Sequence, residues 1–283
     1  MTLLITGATG DVGSRVVQHL LKRGLRPRVL ARDQAKARAL FGNSVDVFVG
    51  DLTEPPSLRK ALHGVDALYL VNVGPEIPER DEAAASVSKQ MGVKKIVKLS
   101  SLDVEHGLAI GAWHEKGEVA IRVSAVPFTF VRPTGFMSNL LAWSHAIKTE
   151  QIVRSSTADG RRPFIHSEDI AAVSVEVLVT DTYLGQAIPI TGPESLTFGE
   201  ATEIIAEAIG CPLKYEAISD EQARERYAKI SGSPEETEAH VALWRAIREG
   251  RLAAVTHDIE RVLGRRPISL SQWAEENAAS FRK

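Results

Sequence analysis

The seven residues Gly7-Ala8-Thr9-Gly10-Asp11-Val12-Gly13 constrain this chain more than any other feature of it. They stand where a short apolar run, residues 2–6, gives way to a helix-like segment, residues 11–23, in which Val12, Val16, Leu20 and Arg23 recur at helical spacing before Gly24. Glycine at these positions permits a tight turn, lets the backbone approach a phosphate and lets the helix pack closely on the sheet. The first N–H groups of a helix have no intrahelical partner and sit at the positive end of its dipole, so they attract anions. Strand, turn and helix in this order predict a dinucleotide site at Gly7, Thr9, Gly10, Asp11, Val12 and Gly13, with a purely structural glycine turn as the alternative.

The same alternation continues. Strands are expected at residues 2–6, 26–31, 45–50, 67–71, 94–100 and 127–132, with helices between them, one opened by Pro55-Pro56 and stopped before Gly64. That pattern predicts an α/β class: a Rossmann-type doubly wound parallel sheet with a smaller, mainly helical C-terminal substrate domain. The expected division is residues 1–150 for NADP binding and 151–283 for the substrate side, some of whose segments return to the sheet. In the second part helix-like stretches dominate, at 198–210, 220–230, 235–248 and 270–281. A chain of 283 residues, 44% of them hydrophobic, suffices for such a core.

Roughly twenty residues beyond the fingerprint, an NAD site normally places an acidic residue on the adenosine ribose. Here Arg32 holds that place, and its planar fork of donors suits a 2′-phosphate, which favours NADP(H) over NAD(H). Asp33 either caps the next helix or serves the ribose. Asp51, Leu52, Asn72 and Val73 end the third and fourth strands, at the carboxyl edge where such sheets bind ligands. Asp51 is a candidate acceptor for the adenine amino group, with Leu52 against the ring; a turn or cap role is the alternative for Asp51, and Asn72 has a similar balance.

With 34 Lys plus Arg against 36 Asp plus Glu, a net charge of −2 carries no footprint of nucleic-acid or anionic-membrane binding. The single cysteine, Cys211, excludes an intrachain disulfide. No signal peptide and no apolar stretch of membrane-spanning length is legible, so a cytoplasmic location and a small-molecule substrate are expected. A homodimer is left open.

Thr6-Gly-Ala-Thr-Gly-Asp-Val-Gly13, Ala31-Arg-Asp33, Gly50-Asp-Leu52, Val131-Arg-Pro-Thr-Gly-Phe-Met-Ser-Asn139, Ile165-His-Ser-Glu-Asp-Ile-Ala171 and Ile190-Thr-Gly-Pro193 together resemble the NmrA-like branch of the atypical short-chain dehydrogenases. The resemblance spans nearly the whole chain and implies NADP(H) binding, with Pro133 to Phe136 lining the nicotinamide and Phe136, Met137 and Asn139 facing a substrate cleft. Core packing is the alternative for Phe136 and Met137. By the same resemblance His166 faces the cleft, whereas Asp169 caps or orients its own helix. Members of the branch include quinone and enone reductases as well as regulators that sense the cofactor.

Carbonyl-reducing relatives usually carry Tyr-x-x-x-Lys, in which the lysine lowers the tyrosine pKa. The four tyrosines here, Tyr69, Tyr183, Tyr215 and Tyr227, are followed four places on by Val73, Ala187, Ser219 and Ser231. At the corresponding place stands Trp113-His114-Glu115-Lys116-Gly117-Glu118, where Glu118 lies one helical turn beyond His114 and would raise its pKa. His114 is thus a candidate proton donor, with a non-catalytic groove pair as the alternative. The string lacks the second histidine of a His-Glu-x-x-His zinc site, and no metal is expected. Ser101, at the end of the fifth strand, is a candidate for binding a substrate oxygen, or satisfies a turn; Lys98 before it is equally readable as solvated. The expectation is an NADPH-dependent reductase of a quinone, enone or related conjugated electrophile. The alternatives are a non-catalytic NADP(H) redox sensor that binds a protein partner, and an epimerase or dehydratase on the same fold.

Overall fold

Residues 1–282 are described in a computed structural model. The N-terminal alternation forms β1 (Leu3–Ile5), α1 (Asp11–Lys22), β2 (Arg28–Ala31), α2 (Gln34–Phe41), β3 (Asp46–Val49), α3 (Pro55–Leu62), β4 (Ala67–Val71), α4 (Ile77–Gln90), β5 (Lys95–Leu99), α5 (Ala109–Val123) and β6 (Phe128–Pro133). Then follow α6 (Ser144–Glu150), β7 (Ile152–Ser155), β8 (Arg161–Pro163), α7 (Ser167–Val179), β9 (Ala187–Ile190), β10 (Ser195–Thr197), α8 (Phe198–Ile209), β11 (Lys214–Ala217), α9 (Asp220–Ala228), α10 (Pro234–Arg248), α11 (Asp258–Leu263) and α12 (Leu270–Phe281).

Seven strands make one sheet in the order β3-β2-β1-β4-β5-β6-β9. β1 pairs in parallel with β2, Leu4 opposite Arg28, and with β4, Leu4 opposite Leu68. The order therefore reverses between β1 and β4, the switch point at whose carboxyl end sheets of this Rossmann-type class bind ligands. One core cluster joins Leu4, Leu68, Ile96 and Phe130 of the strands to Leu58 and Leu62 of α3, Ala84 of α4 and Ile121 of α5. Strands covered on both faces explain the near-continuous apolar runs read in the sequence.

The chain divides into two units. Unit 1 comprises residues 1–101, 112–132 and 170–189; unit 2 comprises 102–111, 133–169 and the residues from 190 onward. The two units are therefore interleaved along the chain. Residues 133–150 belong to unit 2, and 170–189 return to the sheet because β9 covers the edge that β6 would otherwise leave unpaired. Unit 2 holds two small sheets, β10 with β8 antiparallel and β11 with β7 parallel, strands of three or four residues that are too short to show a period. Its core includes Met137, Leu140, Phe164, Phe198, Leu243 and Trp273. Reciprocal capping boxes start α8 (Thr197 with Glu200), α9 (Ser219 with Gln222) and α12 (Ser269 with Gln272). Among the described residues no helix is long and apolar enough to cross a membrane.

Candidate functional site

The turn after β1 requires glycine at Gly7 and Gly13. Gly7 has φ +61°, a left-handed conformation that disfavours a side chain, and a Cβ there would also approach the Val71 Cβ to 3.0 Å. The Gly10 N–H donates to the Gly7 carbonyl at 3.0 Å, closing the turn. A Cβ on Gly13 would collide with that same carbonyl, so only glycine lets α1 start this close to the turn. Gly10 is the N-cap of α1 and supplies no capping side chain, which leaves the first-turn N–H groups for an anion. The Thr6 hydroxyl accepts from Val71 N–H at 2.8 Å and donates to the Tyr69 carbonyl at 3.1 Å, holding β1 and β4 together beside the turn. This cradle fits a dinucleotide pyrophosphate. Gly7, Gly10 and Asp11 are exposed and Thr9 half-buried, while Val12 is buried and offers a ligand only its backbone.

Of the flanking candidates, Arg32 has an 84% exposed side chain whose guanidinium lies 4.0 Å from the Asp51 carboxylate. Asp33 caps α2, accepting from Lys36 N–H at 3.0 Å. Asp51 accepts from both the N–H and the hydroxyl of Thr53 at 2.9 Å; the backbone bond chiefly, then the hydroxyl and the Arg32 charge, hold its carboxyl below the usual range. Asp51 thus shapes its own turn. Leu52 lies in the core cluster, and Asn72 is buried with its amide donating to Asp81 at 2.5 Å, so both side chains point inward, leaving exposed Val73 at the edge.

Beneath this edge lies a buried ion pair. Lys98 Nζ is 2.5 Å from the Asp81 carboxylate, and both side chains are fully enclosed, which corrects the solvated reading of Lys98. Asp81 also lies against Gly117 of α5, where a Cβ would overlap its carboxylate. His114, on the same helix, is buried beside this pair; burial foremost, and then the Lys98 charge, push its pKa well below 6.5. Its Nδ1 has no hydrogen-bond partner among the described residues. The expected raising of its pKa by Glu118 does not occur. Glu118 turns instead to Arg132 Nη2 at 2.6 Å and to the Ser100 hydroxyl at 2.7 Å, because a guanidinium offers a carboxylate a charged, two-point partner. His114 is therefore neutral at pH 7, unsuited to donate as an imidazolium. Ser101 follows β5 and is half-buried.

In unit 2, the segment after Pro133 behaves differently from residue to residue. Pro133 ends β6 and is buried; Phe136 and Asn139 line a cavity of about 950 Å³; Met137 is in the core. His166 is not on that cavity. Its Nδ1 accepts from Glu168 N–H at 2.9 Å and its Nε2 lies 3.2 Å from Glu276, so both ring nitrogens are engaged at the start of α7. Asp169 reaches across to the segment between α11 and α12, accepting from Ile268 N–H at 2.7 Å and pairing with Arg265 at 2.6 Å.

Side chains from distant segments complete the cavity. Arg162 lies on it, paired with Asp103 at 3.1 Å. Tyr227 and His240 stack with ring centroids 4.2 Å apart, and Trp244 meets Tyr227 edge-on at 5.6 Å. His240 Nδ1 is 2.8 Å from the Glu236 carbonyl, which only accepts, so Nδ1 carries the proton and Nε2 accepts from the Tyr227 hydroxyl at 3.0 Å. Burial raises the Tyr227 pKa and lowers that of His240, leaving both neutral. Sequence reasoning missed this wall. Its one local signal is the four-residue spacing of His240 and Trp244 on α10.

A fold of this class with this glycine turn defines a dinucleotide-binding protein, and the chain belongs to the NmrA-like family, whose model matches residues 1–250. It is 35% identical over 283 residues to the (4-alkanoyl-5-oxo-2,5-dihydrofuran-3-yl)methyl phosphate reductase of Streptomyces griseus, covering 99% of each chain. It is 33% identical over 285 residues to the NAD(P)H azoreductase of Xenophilus azovorans, again covering 99% of each. Its fold matches the crystal structure of an Escherichia coli NADPH-dependent quinone oxidoreductase complexed with NADPH, with a TM-score of 0.87 over 98% of this chain and 99% of that one, at 22% identity.

Proposed function

We propose that this protein is an NADPH-dependent reductase of a quinone, enone or related conjugated electrophile, with the nucleotide on the glycine turn of unit 1 and the electrophile in the cavity of unit 2. The observation that carries the reading is the occurrence in one chain of a glycine turn closed to any Cβ at Gly13 and an aromatic-walled cavity of about 950 Å³. Two relatives of matching length, both named as reductases, support it.

NADPH is favoured over NADH because Arg32 projects an exposed guanidinium just after β2, while the neighbouring carboxylate, Asp33, is engaged in capping α2. Reduced nicotinamide supplies a hydride, which with one proton converts a quinone to a hydroquinone. Solvent is the proton source that fits the site: His114 is neutral and buried, and a conjugated acceptor spreads the incoming charge without a strong acid. Tyr227 and Trp244 line the cavity with aromatic surface suited to such an acceptor.

The test is NADPH oxidation by purified protein with a panel of quinones and enones. Turnover is expected, with Arg32→Ala lowering the preference for NADPH over NADH about fivefold, the scale of one exposed ion pair. The neutral His114 keeps one rival in view, a non-catalytic NADP(H) sensor. NADPH binding without turnover of any electrophile would establish that rival and end the reductase reading.

A further inference from the structure

Among the described residues no aspartate or glutamate lines the cavity of unit 2, whereas Arg154, Arg162, Arg226 and Lys229 all do, together with His145 and His240. The chain as a whole carries a net charge of −2, so this bias belongs to the cavity and not to the protein. Two of the cations are compensated from behind. Arg162 pairs with Asp103 at 3.1 Å, and Arg154 is held by Glu150 at 2.6 Å and Glu216 at 3.3 Å. Arg226 and Lys229 are different: both are exposed, and among the described residues neither forms an ion pair. Spaced three residues apart, they come from the last turn of α9 and its C-cap and flank Tyr227 of the aromatic wall. Arg226 lies within electrostatic reach of Glu150 without pairing with it, and an aromatic face with two such unbridged cations beside it is complementary to a flat molecule bearing an oxyanion.

We infer that the cavity selects planar conjugated substrates that carry an acidic substituent, a carboxylate, sulfonate or phosphate, which Arg226 and Lys229 hold while the ring system packs against Tyr227 and Trp244. The inference rests on the reading that this cavity takes the electrophile. It adds the charge that the electrophile carries.

The experiment compares 1,4-naphthoquinone with the same quinone bearing a sulfonate on its benzenoid ring, at low and high salt, in the wild type and in the R226E/K229E double variant. The readout is the ratio of kcat/KM for the sulfonated over the neutral quinone, which cancels losses common to both. The ratio is expected to fall roughly tenfold in the variant at low salt and much less at high salt, as screening of exposed charges requires. 2-Naphthalenesulfonate, which accepts no hydride, should inhibit competitively against quinone. An unchanged ratio, or inhibition competitive with NADPH instead, would overturn the inference while leaving the reductase reading intact. If neither quinone is reduced although NADPH binds, the reductase reading fails, and calorimetric binding of 2-naphthalenesulfonate still decides the inference: weaker binding to the variant than to the wild type supports it, and equal or absent binding overturns it.

Discussion

The glycine cradle of unit 1 is made of backbone, four residues of turn and the first turn of α1, with Gly7, Gly10 and Gly13 close in sequence. The cavity of unit 2 is made of side chains, with Phe136, Arg162, Tyr227 and Trp244 drawn from segments far apart in the chain. A site made of backbone tolerates almost no added atom, because a single Cβ meets a carbonyl that cannot move without the sheet. A site made of side chains loses one contact at a time and can be retuned for different substrates.

The sharpest way to break that contrast lies beneath the unit 1 edge. Asp81→Ala leaves Lys98 buried without its countercharge and should cost about 3–5 kcal/mol of stability, read by chemical denaturation. The double variant Asp81→Leu/Lys98→Met should recover most of that loss; if the single variant is neutral, the pair does not hold the edge. Next in size, Gly13→Ala forces a Cβ onto the Gly7 carbonyl. Overpacking of this kind costs about 1–3 kcal/mol, and the dissociation constant for NADPH should rise about tenfold. Wild-type affinity in this variant would mean that the turn is less backbone-determined than described.

A smaller effect concerns pH. The folded-state pKa of His114 lies below its unfolded value near 6.5, so between the two the unfolded chain binds a proton that the folded chain does not. Its contribution is therefore full above pH 6.5 and declines as the pH falls below it, by up to about 1.4 kcal/mol per pH unit. Denaturation midpoints across that range should show the slope, and His114→Gln should flatten it. Smallest is Tyr227→Phe, which removes the donor to His240 Nε2 and should cost about 1 kcal/mol while leaving the unit 1 cradle, and hence NADPH affinity, unaltered. A large loss of NADPH affinity in Tyr227→Phe would show that the two regions are not independent.

What was legible in the sequence follows the same division. α3 was readable at both ends from Pro55-Pro56 and Gly64, β4 from its apolar run, and α12 from its periodicity, since each signal lies within the element itself. The Gly7-Gly10-Gly13 spacing announced the tight turn into α1. Spacing misled at His114 and Glu118: one helical turn brings two side chains within reach of each other, but Arg132, from β6, offered Glu118 the better partner. Likewise nothing local marks Asp81 as the partner of Lys98, or Tyr227 as that of His240.

The residues themselves, then, determined the alternation of strands and helices, the α/β class and the glycine cradle, because backbone conformation and amphipathic period are properties of neighbours in the chain. Only the packed structure decided which buried charges pair, that His114 is neutral, that Met137 and His166 are absent from the cavity lining, and that Arg226 and Lys229 lie on it. Those outcomes depend on desolvation and on the nearest available partner in space, and neither is encoded at any single stretch of sequence.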